Sequence, residues 1–175
     1  MITYQFPLYP SKEQCALLWT HANKLNQLYN YFLNQRKSAY EKDKTKITKK
    51  DQLAELPILK KSDPVLASIY SQTIQDVPIR LHQNYKGTYS RINKKNSNKS
   101  GKESNPGFPK FRSCHNFFGI RFTQSGFSID DNLLKTSVYG NIPFNKYRDI
   151  QGKVKQIFIT NENNKFYICI ITDYN

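Results

Sequence analysis

The sequence predicts an α+β protein, a small antiparallel β-barrel or sheet into which a helical bundle is inserted. Three observations carry this. The chain opens on an alternation, Ile2, Tyr4, Phe6 and Leu8, which is the period of a half-buried strand. Apolar residues then recur at three- and four-residue spacing, Leu18, Ala22, Leu25, Leu28, Tyr29, Phe32 and Leu33, one face of an amphipathic helix. From Phe117 onward the pattern is strand-like again, with Gly, Asn and Asp at the breaks. In that order the first strand most simply joins the later ones. Residues 1–10 then form the first strand, 11–105 the helical insertion and 106–175 the remainder of the sheet.

Pro7 lacks an N–H, which places the first strand at an edge or near its end, and Pro10 stops it. Ser11-Lys12-Glu13-Gln14 reads as a capping box, so a helix starts at Lys12 and runs to about Tyr40. A lysine-rich loop, Lys42 to Ile47, follows. Thr48 to Asp51 caps a short helix through Leu56, which Pro57 ends. Asp63-Pro64 is a further helix start, with Asp as the cap and Pro in the first turn. Ser71 to Gln75 opens a long helix with the stripe Ile74, Val77, Leu81, Tyr85, Tyr89 and Ile92. Pro78 sits inside it, and the loss of a helix hydrogen bond there predicts a kink or break near Val77, or a later start. Asn93 to Asn105 lacks large apolar residues and reads as a flexible basic loop carrying Lys94, Lys95, Lys99 and Lys102. The expected strands are Phe117–Thr123, Gly126–Ile129, Leu133–Val138, Val154–Thr160 and Lys165–Thr172, with Asn161 to Asn164 turning between the last two.

Lys and Arg number 27 against 13 Asp and Glu, a formal net charge of +14. Such an excess favours polyanionic partners. No apolar run approaches a bilayer span and the N-terminus is no signal peptide, so a membrane role is not expected and a cytoplasmic location is. Cys15, Cys114 and Cys169 contain no C-x-x-C pair, which excludes a zinc ribbon within the chain; they read as reduced thiols. Asp130-Asp131 reads as a turn. No acid/base, nucleophile or phosphate-loop constellation is present, so neither catalysis nor a cofactor is expected.

Two constellations carry binding chemistry. Pro106 to Arg112 holds Phe108, Phe111, Lys110 and Arg112 on a stiff turn. The rings there can stack on bases and the cations pair with phosphates; a role for the two rings as core plugs stands equally open. The second is a basic helical region that includes Arg36, Lys37, Lys49 and Lys50, where cations outnumber acids. Solvated surface is the usual fate of such a run.

Leu8-Tyr9-Pro10-Ser11-Lys12-Glu13-Gln14, Tyr29-Asn30-Tyr31-Phe32-Leu33, Ser71-Gln72 with Gln75, Leu81 and Tyr85-Lys86, Gly107-Phe108-Pro109-Lys110-Phe111, Gln151 to Lys155 and Lys165 to Ile168 together resemble the OrfB/TnpB family of transposon proteins, in order along nearly the whole chain. Gly107 to Phe111, similar to the family's GFPRFK, is the most specific. The resemblance implies a wedge-like, oligonucleotide-binding-like barrel with a helical recognition lobe and a helix-turn-helix-like N-terminal region. It implies guide RNA and target DNA as partners, with sequence read by base pairing. Lys49, Ser71, Gln72, Gln75, Thr123 and Gln124 match the surface that reads a short DNA motif, and Lys86 lies on the same recognition helix. Pro78 and Gly87 depart from the pattern. The family's catalytic RuvC strand would follow the last hairpin, whereas this chain stops at Thr172-Asp173-Tyr174-Asn175; Asp173 lacks the glycine-flanked context and is not assigned as catalytic. Binding without cutting is the expectation. A transposon relic, a nuclease-dead regulator and one half of a split nuclease with a separate RuvC-containing chain are its three forms. A basic protein-interaction module is the rival from another class.

Overall fold

The computed structural model describes residues 1–97 and 107–173. Strand β1 (Ile2–Leu8) leads into helix α1 (Lys12–Asp43), followed by α2 (Lys49–Ser62), α3 (Pro64–Ser68) and α4 (Ser71–Ser97). Six strands complete the chain: β2 (Ile120–Phe122), β3 (Phe127–Asp130), β4 (Leu133–Thr136), β5 (Gly140–Pro143), β6 (Lys153–Glu162) and β7 (Lys165–Asp173). The α+β class is as the pattern indicates. One four-stranded sheet runs β1-β7-β6-β2, and β3-β4-β5 form a second.

The sheets do not close into a barrel. They meet at one corner, where Leu8 bridges Phe144 and Tyr9 N donates to Pro143 O at 2.9 Å. At the opposite side, the outer edge of β2 is taken up by α4 instead of a strand. Thr73 Oγ1 donates to Arg121 O at 2.8 Å and Arg80 Nη2 to Gly119 O at 2.7 Å. Side chains from a helix thus satisfy the carbonyls that closure would have used, which also blunts an open sheet edge. Pro7 sits on β1, the other end strand of that sheet, where a missing N–H is tolerated. The β6–β7 turn has Asn163 and Asn164 at φ of 50° and 62°, the left-handed pair of a two-residue hairpin.

The capping box at α1 is formed. Gln14 N donates to Ser11 Oγ at 3.2 Å and Ser11 N to Gln14 Oε1 at 2.9 Å. Gln14 Nε2 also donates to the carbonyls of Tyr139 and Asn141, each at 2.9 Å, which ties the helix start to the β4–β5 hairpin. The helix extends a turn past Tyr40 and ends on Lys44 at φ 61°.

Both interior prolines were expected to break their helices, and neither does. α2 continues through Pro57 because Leu56 and Leu59 pack on the core on either side of it. α4 is one helix from Ser71, with Ile74, Val77 and Leu81 at 0–1% exposure spanning Pro78. That burial offsets the one lost hydrogen bond. Asn93 to Ser97 belong to α4 and not to a loop; Lys99, Lys102 and Pro106 lie outside the described residues. β5 has no counterpart among the expected strands.

A single core joins helices and sheet, with Phe6, Phe32, Phe118 and Phe122 all fully buried. Within it, His21 links three elements. Its Nδ1 lies 2.7 Å from the Tyr139 hydroxyl and its Nε2 3.1 Å from Ser68 Oγ. Ser68 Oγ already donates to Val65 O at 2.6 Å. The hydroxyl therefore accepts from Nε2–H, and Nδ1 accepts from Tyr139. Burial holds the His21 pKa below its ordinary value and favours this neutral form. No helix among the described residues is long and apolar enough to cross a membrane.

Candidate nucleic-acid interface

The segment after Gly107 is extended and would wander without anchors. α1 supplies two. Asn30 Nδ2 donates to Arg112 O at 2.8 Å while its Oδ1 accepts from Arg112 N at 2.7 Å. Asn26 Oδ1 accepts from Arg112 Nε at 2.8 Å, and its Nδ2 donates to Asn116 O at 2.7 Å. The Arg112 guanidinium lies over the Phe118 ring, 4.8 Å from its centroid. Burial lowers its pKa from the ordinary value, though an arginine stays charged. With the backbone fixed in this way, Phe108 and Phe111 are 51% and 53% exposed. They are not core plugs. Lys110 is exposed between them.

The loop faces two clefts. The larger, of about 840 Å³, opens between the C-terminal half of α1 and the middle of α4. Arg36, Lys37, Lys46 and Lys86 line it against a single carboxylate, Glu41. The loop contributes Phe108 to this cleft. Gly107, Pro109 and Lys110 instead line a second cleft of about 410 Å³, together with Arg91 and Arg112 and without any acid. The positive charge is thus gathered on the helices and the loop. It is not gathered between helices and sheet, which pack directly on each other through the common core.

The cations are not equally free. Gln52 Oε1 accepts from Arg36 Nε at 3.0 Å and from Nη2 at 2.7 Å, and the guanidinium stands over the Tyr85 ring at 5.4 Å. Arg36 is therefore a fixed charge in the wall. Lys37 lies over Phe111 at 4.8 Å. Lys86 and Lys50 are exposed, and Lys49 is half-buried at the start of α2. His82, exposed on α4 beside this cleft, reports the local field. Its pKa is lowered by desolvation first and then by Arg36, Lys49 and Lys86.

The structure brings Gln72, Thr123 and Gln124 together. Gln72 Oε1 accepts from Thr123 Oγ1 at 2.9 Å and from Gln124 N at 3.2 Å, and Nε2 donates to Ser125 Oγ at 3.3 Å. Most of Gln72 is thus spent holding the β2–β3 turn, while the Gln75 and Gln124 side chains stay exposed. Gly126, at φ +84°, closes the turn where a Cβ would meet the Tyr70 ring at 2.6 Å. Ser71 Oγ accepts from Lys60 Nζ at 3.1 Å. Lys49 does not join this group. It acts on His82, ten residues along α4 from Gln72 and hence roughly 15 Å away along the helix axis.

Sequence reasoning missed Asp76. Its carboxylate is 3% exposed and pairs with Arg80 on the same helix and with Arg121 of β2 at 3.3 Å. Arg80 also lies over Phe118, at 4.6 Å, on the ring that Arg112 covers. An aspartate one turn before an arginine is a visible helix pair; its burial and its second partner are not. No cluster of His, Cys, Asp and Glu suited to a metal occurs among the described residues.

Residues 1–45 match the family model of the helix-turn-helix domain of IS605-type OrfB proteins. The match likens this region to a DNA-binding, transposase-related class. In that stretch the chain is similar to the N-terminal region of OrfB/TnpB-family transposon proteins. No curated protein matches the chain. In this structure residues 1–45 hold β1 and one uninterrupted helix. They do not form the two helices that a groove-reading helix-turn-helix requires. The helices that pack on α1 are α2, α3 and α4, all from later in the chain.

Proposed function

We propose that the protein binds guide RNA and an RNA–DNA duplex across the α1–α4 face and the Gly107–Arg112 loop, and that these residues do not themselves cut nucleic acid. One observation carries the reading: four cations stand against one carboxylate around the larger cleft, with a second acid-free basic cleft on the other side of the same loop. Lys37, Lys50, Lys86 and Lys110 supply mobile charges for phosphates, while Arg36 and Arg112 are held by hydrogen bonds. Gln75 and Gln124 carry the exposed amides suited to adenine edges, with Gln72 and Thr123 supporting them from beneath.

Affinity measured against salt tests this. Neutralising roughly six phosphates predicts about a thousandfold loss between 50 and 200 mM salt, with DNA and RNA left intact in the presence of magnesium. A salt-independent affinity removes the basic clefts as the contact surface, and cleavage of either strand removes the second part of the proposal.

A further inference from the structure

The larger cleft carries more than charge. On its α4 side Tyr85 and Tyr89 stand one turn apart with ring centroids 6.3 Å apart and planes 26° from parallel. Phe108 meets Tyr89 edge-on at 6.2 Å. Tyr40 of α1 lines the same cleft. Tyr89 and Phe108 are 53% and 51% exposed, so two aromatic rings stand open to solvent in a cleft rimmed by lysines, while the Tyr40 ring carries the Lys44 ammonium at 4.8 Å. Open aromatic faces gain nothing from a duplex, whose base faces are already stacked on one another. They gain from unpaired bases, which present a face to stack on and a phosphate to pair with. A volume of about 840 Å³ falls in the range of about 300–1,000 Å³ seen for small-ligand sites.

Glu41 distinguishes the sugar. It is the single acid lining this cleft, and no ion pair among the described residues involves it. A carboxylate repels phosphate but accepts a hydrogen bond, and the ribose 2′-hydroxyl is the donor that RNA has and DNA lacks. We propose that the cleft between α1 and α4 is a stacking site for an unpaired stretch of RNA, with Tyr89 and Phe108 holding bases, Lys37 and Lys86 the flanking phosphates, and Glu41 a 2′-hydroxyl. This rests on the nucleic-acid-binding reading above and adds the strandedness and the sugar.

The test uses the full chain with three probes: a short oligouridine, the matching oligodeoxyuridine, and a blunt RNA duplex. Tyr89→Leu and Phe108→Leu keep apolar bulk and remove the ring; unchanged thermal unfolding of both variants establishes that they fold. The oligouridine is expected to bind tighter than its deoxy counterpart and to weaken roughly 5- to 150-fold with each ring removed, while duplex affinity stays the same. Glu41→Ala is expected to bring the two single strands to equal affinity. If both Leu variants bind oligouridine as the parent does while the duplex still binds, the stacking site is refuted and the wider reading stands. Equal affinity of the parent protein for the two single strands overturns the assignment to RNA. If none of the three probes binds, the wider reading fails and takes this one with it.

Discussion

Replacing Asp76 by alanine is expected to destabilise the protein by about 3–5 kcal/mol, the largest single effect outside the aromatic core. The carboxylate is buried between Arg80 and Arg121. Arg80 is itself largely desolvated, and that desolvation is the main cause of its lowered pKa. Removing the anion leaves two guanidinium groups close together without compensation, the situation in which breaking a buried pair is most costly. The change also frees one of the contacts that join α4 to β2, the edge where the sheet would otherwise lie open. Thermal unfolding measures it. At roughly 2–4 °C per kcal/mol for a chain of this size the midpoint falls by about 6–20 °C. Adding Arg121→Met to the same background is expected to restore part of the loss, because it removes one of the stranded charges. A drop below about 1 kcal/mol in the single variant contradicts the role given to this aspartate.

The largest functional effect is expected from reversing two charges in the main cleft. Lys37→Glu with Lys86→Glu removes two phosphate contacts and adds two repulsions beside Glu41. Each contact contributes about 0.9 to the slope of log affinity against log salt. The slope is therefore expected to fall by about two, with affinity lower by roughly a hundredfold near 100 mM salt. Lys86 is solvent-exposed. Lys37, half-buried, gives up a contact with Phe111 worth roughly 0.5–2 kcal/mol, and thermal unfolding of the variant checks that the fold is retained. An unchanged slope in a folded variant moves the contact surface elsewhere on the molecule.

Local chemistry made much of the fold legible. Ser11 and Gln14 marked the start of α1 to the residue, Asp63-Pro64 marked α3, and the Asn-rich turn marked the last hairpin. All three are signals in which the responsible atoms lie within a few residues. The misreadings came where distant contacts outweigh local preference. Pro57 and Pro78 should end helices on backbone grounds, yet apolar neighbours on both sides of each pack on the common core, Leu59 only in part, and that packing decides. β5, Gly140–Pro143, carries a glycine, an asparagine and a proline with one buried residue, Ile142; no period can emerge from so few positions. Closure of the barrel depends on what covers β2, and only the placement of Thr73 and Arg80 shows that α4 does.

The binding surface was legible in kind more than in arrangement. The charge excess and the Phe108–Arg112 segment stood out because their residue types are unusual together. Asn26 and Asn30, which fix that segment, look like ordinary polar residues on a helix; 82 residues separate Asn30 from the Arg112 backbone it holds. Gln72 was singled out as a reader of bases, and three hydrogen bonds to the β2–β3 turn show it to be a support as well. Tyr40 was legible as the end of the first long helix and, after Arg36-Lys37, as part of the family-like spacing, but not as cleft lining, since the facing wall comes from α4 and the loop.

The pKa of His82, followed by NMR with and without saturating nucleic acid, tests the central claim most directly. In the free protein, desolvation and then the charges of Arg36, Lys49 and Lys86 hold it below the ordinary histidine value. Phosphates seated in the cleft would offset those three charges and favour the protonated ring. A rise in the pKa on binding is therefore predicted, and by linkage affinity increases as the pH falls through the interval between the free and bound values. A His82 pKa that stays where it was while the protein is saturated with RNA or DNA would show that the ligand sits elsewhere, and that the cations gathered around α1 and α4 are not its cradle.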